Sequence, residues 1–250
     1  MPPMNSETFA RMFSAQYADF DEDLPLWRRL AREVGGPILE VGCGAGRVLC
    51  ALARHGYEVT GIDSNPAMLR RAIRRLSSEP RTRAHVVEQD ITTLDLQSRF
   101  RLILAPCNIL AGMTDEDLAL AFSRLHAHLL PGGRFAFEVP FPGEAEASGD
   151  PDEPLAAFLE PESGNPVQVF AEQQVDPDGR HAVVTWRYDE LRPDGTAQSW
   201  TLPTLFHVRP ANEYIHLLED AGFRHAAAFG GYDLGPPRGD DALLIVLATG

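Results

Sequence analysis

A chain of 250 residues that is 44% hydrophobic can bury one large core, or one core plus an elaboration. Lys+Arg 22 against Asp+Glu 36 leave a formal charge of −14, and so acidic a surface repels phosphate backbones, which argues against DNA or RNA as a partner. No apolar run reaches membrane-spanning length, and no basic region followed by an apolar core opens the chain, so the expectation is a cytoplasmic protein without membrane contact.

The three cysteines, Cys43, Cys50 and Cys107, are odd in number and lack zinc-site spacing. They read as small buried thiols in a reducing compartment, and no metal site is expected. Every basic side chain is Arg and none is Lys. That rules out a Walker-type phosphate loop, a Schiff-base lysine and the Tyr/Lys pair of many short-chain reductases.

In chain order, residues 1–34 read as two helices. Phe9, Met12, Phe13 and Tyr17 lie on one stripe of the first, which could serve as a lid or simply cover a sheet. Asp23 is placed to cap the second, with Pro25 in its first turn. Ile38–Val41 is an apolar run that enters Gly42-Cys43-Gly44-Ala45-Gly46, after which apolar residues recur at helical spacing to about His55. Strand, glycine turn and helix form the entry to a nucleotide-type site, because backbone must turn sharply and approach a ligand with no Cβ in the way. A tight turn without a ligand is the plain alternative.

Tyr57–Asp63 reads as the second strand and ends on an acid. A carboxylate about 20 residues beyond such a turn accepts hydrogen bonds from ribose hydroxyls. Asp63 could instead cap the helix that begins at Pro66, although Ser64 or Asn65 can take that duty. Met68, Leu69, Ala72, Ile73 and Leu76 form the stripe of that helix, with Met68 either core or adenine contact. Ala84–Ile91 is the third strand and carries Asp90 at its end. Phe100–Asn108 is the fourth strand and its exit, broken by Pro106. Thr114-Asp115-Glu116-Asp117 opens a helix, Leu130-Pro131-Gly132-Gly133 is a sharp turn, and Arg134–Val139 is the fifth strand. Alternating strands and helices predict an α/β, doubly wound, mostly parallel sheet, whose ligands sit outside the carboxyl ends of the strands. The glycine turn, Asp63, Asp90 and Asn108 all fall at those ends.

Composition changes at 141–209. After a Pro/Gly/acid-rich stretch with one short helix at Leu155–Leu159, the runs Val167–Val175, His181–Leu191 and Thr196–Val208 alternate as strands, joined by Asp176-Pro177-Asp178-Gly179 and Pro193-Asp194-Gly195. They predict a three-stranded antiparallel insertion. Pro210–Ala221 is the last helix, and Phe223–Phe229 with Ala242–Ala248 are the closing strands.

Taken together, Ile38–Val48, Gly61–Leu69, Gln89-Asp90-Ile91, Ala105-Pro106-Cys107-Asn108 and Leu129–Gly133 resemble the ordered motifs of the class I S-adenosylmethionine-dependent methyltransferases. The resemblance covers about residues 35–140. It implies a Rossmann-like seven-stranded sheet ending in an antiparallel hairpin, built from 35–140 and 210–250, with residues 1–34 as N-terminal helices and 141–209 as a β cap. It implies S-adenosylmethionine as cofactor. Glu40, Gly42, Gly44 and Gly46 would hold the methionine part and Asp63 the ribose, with Ser64 also among the cofactor-binding residues. Asp90, Ile91 and Met68 would frame the adenine, and the methyl would be delivered near Ala105 and Asn108. The missing Asn-Pro-Pro-Tyr motif disfavours base or protein-amide acceptors, which leaves a small molecule, N-methylation being slightly favoured over O-methylation. Trp186, Tyr188, Trp200 and His207 are candidates to line an acceptor pocket, and Tyr17 and His207 to act as bases. In related enzymes an insertion at this point caps the acceptor; a homodimer through the cap is the other use. The competing readings are an NAD-dependent oxidoreductase and a non-catalytic cofactor-binding protein. Asp63→Ala is expected to weaken cofactor binding by about tenfold or more with little loss of stability.

Overall fold

The computed structural model describes residues 4–79, 81–140, 153–239 and 241–250. In chain order its elements are α1 (Ser6–Gln16), α2 (Leu24–Val34), β1 (Ile38–Val41), α3 (Arg47–Ala53), β2 (Glu58–Asp63), α4 (Pro66–Ser77), β3 (Arg83–Glu88) and β4 (Phe100–Ala105). There follow α5 (Asp115–Ala127), β5 (Leu129–Pro140), β6 (Ala156–Leu159), β7 (Pro166–Val175), β8 (His181–Leu191), β9 (Ala197–His207), α6 (Ala211–Asp220), β10 (Arg224–Gly230) and β11 (Leu243–Thr249). The chain forms two compact units, Asp21–Glu144 with Arg209–Gly250, and Met1–Phe20 with Ala145–Val208.

The larger unit is a seven-stranded sheet in the order β10-β11-β5-β4-β1-β2-β3. Strands β1 to β5 run parallel to one another, and β11 and β10 close the sheet antiparallel. This is the expected doubly wound α/β fold with a terminal hairpin. Strand order reverses between β1 and β4, which opens a crevice at their carboxyl ends. The apolar stripes of α2 and α3 cover one face: Leu26, Trp27, Leu30, Leu49 and Leu52 pack on Ile38, Leu102, Leu104, Ala136 and Ile245. On the other side Phe122 of α5 meets Phe135 and Phe137 of β5 and Phe223, with centroids 5.7–6.5 Å apart. Each such pair contributes about 0.5–1.5 kcal/mol beyond its area burial.

Several boundaries differ from the sequence reading. β3 stops at Glu88, before Asp90, which instead caps a single 3-10 turn at Ile91–Thr93. β5 starts at Leu129, and the Pro131-Gly132 turn is an irregularity inside it, with Gly132 at φ 71° and a register shift in the ladder to β4. Asp23 precedes α2 but makes no side-chain capping bond, because its carboxylate is held elsewhere.

In the smaller unit β6-β7-β8-β9 form an antiparallel sheet of four strands, not three. The extra strand is the segment expected as a helix at Leu155–Leu159. Four residues are too few to repay helix nucleation, whereas Ala156–Leu159 pair with Pro166–Val169 as an edge strand. The stretch expected as loop before it lies, over 141–152, outside the described residues. Helix α1 belongs to this unit: Met12 packs with Val167, Val169, Tyr188 and Trp200. Arg11 reaches Glu160 and Glu190 at 3.0 Å each, and the Tyr188 hydroxyl donates to Gln16 at 2.6 Å.

Candidate cofactor site at the carboxyl ends of β1, β2 and β4

The glycine turn leaves β1 through three left-handed residues, Gly42 at φ 64°, Gly44 at 52° and Gly46 at 78°. A Cβ on Gly42 would stand 2.7 Å from Ile109 Cγ1, so glycine is required there by both conformation and space. The turn is tied to its neighbours by hydrogen bonds. Cys43 N–H donates to Ile62 O at 2.9 Å, and Gly46 N–H to Cys43 O at 2.8 Å.

Asp63 ends β2 and faces this turn. Its Oδ2 accepts from Gly44 N–H at 2.8 Å and its Oδ1 from Asn65 N–H at 2.8 Å. Burial raises its pKa, and the two N–H groups work against that rise. Each carboxylate oxygen has a second lone pair left for a ligand hydroxyl. Asn65, not Asp63, caps α4, accepting from Ala67 N–H at 2.9 Å. Ser64 lies exposed beside it, and Met68 is buried on the first turn of α4 next to Gly44.

Glu40 and Asn108 complete the crevice. Glu40 is only 3% exposed, and its Oε2 is a buried acceptor without a hydrogen-bond partner. Burial pushes its pKa up to about 8, with Asp23 and Asp63 adding to the rise and Arg47 opposing it. Asn108 Oδ1 is likewise buried and unpartnered. Ala105, fully buried, ends β4, and Cys107 and Asn108 follow it at φ 60° and 55°. Two successive non-glycine residues in the left-handed region cost about 1–3 kcal/mol each and persist only where surrounding contacts hold them.

Those contacts form a network that sequence reasoning missed. Cys107 N–H donates to Glu138 Oε1 at 2.5 Å. Arg47 Nη1 and Nη2 grip Asp23 Oδ1 and Oδ2 at 2.6 Å each, and Nη2 also reaches Cys107 Sγ at 3.4 Å. Trp27 Nε1 donates to Asp23 Oδ2 at 2.8 Å, so the fully buried Asp23 is satisfied by a guanidinium and an indole. Burial pushes Glu138 up to about 7, with Asp23 adding to the rise and the Cys107 N–H, the Tyr232 hydroxyl and Arg47 opposing it. Burial likewise pushes Cys107 up to about 12. One signal for Glu138 stood in the sequence: it is the single acid in the apolar run Arg134–Val139. Nothing local marked Tyr232 or the pairing of Asp23 with Arg47.

The remaining expected residues are more scattered. Asp90 is exposed, and its Oδ1 accepts from Thr92 N–H at 2.8 Å and Thr92 Oγ1 at 2.6 Å; Ile91 is half-buried next to it. Tyr17 and His207 both belong to the smaller unit, and they are not brought together. Tyr17 lies between Phe13 and Phe20 at the end of α1, edge-on to Phe20; burial raises the Tyr188 hydroxyl, and Tyr17 adds to that rise. His207 pairs with His181, seven residues along β8 from Tyr188, roughly 23 Å at strand rise. Tyr188 and Trp200 are core residues of that unit, with Trp186 partly buried against them. His128 is structural: its Nδ1 lies 2.7 Å from Arg124 O and its Nε2 accepts from Leu96 N–H at 2.9 Å.

These donors and acceptors fit S-adenosylmethionine. Its ammonium and sulfonium are cations and its ribose is a diol, while the crevice presents carboxylates, a backbone bared by glycines and unpartnered buried acceptors. Among the described residues no helix is long and apolar enough to cross a membrane. The only cluster there with metal-ligand spacing is Asp176, Asp178 and His181 in the hairpin of the smaller unit.

Comparison with known proteins agrees with the geometry. A methyltransferase-domain family model matches residues 38–133. A protein of Geobacillus sp. named as a methyltransferase is 30% identical over 113 residues, which cover 45% of each chain, so the match spans less than half of that relative. The dTDP-4-amino-2,3,4,6-tetradeoxy-D-glucose N,N-dimethyltransferase of Saccharopolyspora spinosa is 29% identical over 194 residues, 75% of this chain and 71% of that one. The S-adenosylmethionine-bound structure of an amino pentose methyltransferase from Micromonospora echinaspora superposes with a TM-score of 0.68 at 25% identity, covering 92% of this chain and 90% of that one. Motif, family model and fold converge: residues 38–133 carry a methyltransferase domain, set in a chain with the fold of the S-adenosylmethionine-dependent methyltransferases.

Proposed function

We propose that this protein methylates an amine nitrogen of a small molecule, with an amino sugar as the best-supported acceptor class. The observation that carries the reading is a set of converging groups at one crevice: the Gly42–Gly46 turn, the doubly bonded Asp63, and the buried acceptors Glu40 Oε2 and Asn108 Oδ1. The named activities of the Saccharopolyspora and Micromonospora relatives support the acceptor class.

Bound S-adenosylmethionine supplies a methyl group on a sulfonium, open to in-line attack by a lone pair. The residues of this chain bind and orient. Asp63 would take the ribose diol on its free lone pairs, and Glu40 the cationic end of the methionine part. The Arg47–Asp23 clamp and the Glu138 carboxylate hold Cys107 and Asn108 in their left-handed conformation at the β4 exit. Holding reactants in line can contribute about 7–11 kcal/mol to catalysis, which leaves little for acid–base chemistry to supply.

The test is incubation with S-adenosylmethionine and a panel of nucleotide-linked amino sugars paired with their hydroxyl analogues. Formation of demethylated cofactor together with a methylated amine is expected. Methylation of the hydroxyl analogues alone would reverse the nitrogen preference. Cofactor binding without transfer to any member would leave a binding protein.

A further inference from the structure

The crevice has more buried carboxyl groups than cations to balance them. Asp23, Glu40 and Glu138 are 0%, 3% and 3% exposed. Arg47 is the cation acting on both glutamates, and its two terminal nitrogens are committed to Asp23 at 2.6 Å each. Among the described residues, Glu40 therefore lies in a low-dielectric site without a counter-charge of its own. The titratable groups facing it are Arg47 and Cys50 on α3, Asp23 before α2, Asp63 on β2 and Cys43 in the turn; the Leu49 N–H is the backbone donor directed at it. All of these except Arg47 are acids, and an ionised carboxylate among them would cost several kcal/mol. The inexpensive state of the free protein is the protonated acid, and its orphaned Oε2 fits that state.

We propose that Glu40 is a proton-exchange residue, carried as a neutral acid in the free protein and ionised when the cationic end of S-adenosylmethionine enters, so that cofactor binding expels a proton. The proposal rests on the family reading above. It assigns Glu40 a changing charge where a fixed anion would be the simpler assumption. The exchange is balanced: the Glu40 O–H bond breaks, its proton passes to buffer, and the ligand's positive charge replaces it. The upward displacement of Glu40 to about 8 agrees with a group still protonated at neutral pH.

Calorimetric titration of the protein with S-adenosylmethionine at pH 7, in two buffers of different ionisation enthalpy, counts the protons exchanged. Release of about one proton per site is expected for the wild type. Glu40→Gln copies the neutral acid and folds without a penalty. It should release about one proton fewer and bind about tenfold more weakly. The same pair of titrations at pH 6 keeps the ligand's amino group, an α-amine of pKa about 8, protonated whether free or bound, so a difference that persists there belongs to Glu40. Equal proton counts in wild type and variant would overturn the proposal while leaving the cofactor site in place. Failure of the wild type to bind S-adenosylmethionine at all would instead remove the family reading, and the proposal with it.

Discussion

Asp63→Ala separates what the structure adds from what the motif alone suggests. The sequence reading expected the substitution to affect the ligand and spare the fold. In the structure both carboxylate oxygens are already in use, Oδ2 on Gly44 N–H and Oδ1 on Asn65 N–H, each at 2.8 Å. A hydrogen bond to a charged acceptor is worth about 1.5–3 kcal/mol, and removing the acceptor leaves two part-buried donors in need of water. Burial already penalises the ionised Asp63, so the gain from deleting that charge offsets part of the loss. A net cost of about 2 kcal/mol remains, and for a chain of this size it lowers the melting temperature by about 4–8 °C. Asp63→Asn keeps one acceptor oxygen and turns an amide donor toward the other N–H, so it should recover no more than about half of the loss. Thermal unfolding of the two variants, followed by calorimetric titration with S-adenosylmethionine, reads both roles. Both melting temperature and affinity are expected to fall in Asp63→Ala, the affinity by about tenfold or more. A wild-type melting temperature would refute the structural role, and a wild-type affinity would take Asp63 out of the site.

Further outcomes follow from other parts of the molecule. Gly42→Ala forces a Cβ to within 2.7 Å of Ile109 Cγ1 at φ 64°, so loss of about 1–3 kcal/mol in urea denaturation is expected, together with weakened cofactor binding. Arg11→Met removes the cation from Glu160 and Glu190, whose side chains are 0% and 6% exposed, at a cost of about 2 kcal/mol to the smaller unit, reduced from a fully buried pair because Arg11 is 20% exposed and because donors from Glu162, Ser163 and Asn165 remain on the two carboxylates. Arg11 also holds Glu190 down at about 2, so that stabilisation is present above the ordinary carboxylate range and lost as pH falls toward 2. Acid titration of Arg11→Met should therefore show a weaker dependence than wild type in that window. Glu40 and Glu138 have the opposite sign, being raised to about 8 and about 7. Their contribution is full below the ordinary carboxylate range and is lost as pH rises through those values. The free wild-type protein should lose stability from about pH 5 to 8, and Glu40→Gln should flatten that slope, as chemical denaturation across the range would show.

Much of the fold could be read locally. β1 runs from Ile38 to Val41 as expected because an apolar run followed by glycines has few other solutions. Asn65 caps α4 and Pro66 starts it for reasons contained within four residues. The β7–β8–β9 meander is announced by its alternation and by its Asp-Gly turns. Ala156–Leu159 was misread because an edge strand this short carries almost no signal of its own; its hydrogen bonds come from β7. Asp23 was misread because an acid before a helix is usually a cap, and only folding brings Arg47, 24 residues away, to claim it.

By itself the sequence determined the alternation of strands and helices, the glycine turn and the acid that ends β2, since each depends on neighbours a few residues apart. Those features were enough to name a cofactor class. Tertiary structure decided the charge balance of the site. Asp23, Glu40, Arg47, Cys107, Glu138 and Tyr232 come from six separate segments, and no periodicity links them. Whether a carboxyl group is an anion or an acid depends on the dielectric around it and the cations within a few ångströms, and both exist only once the chain has closed around them.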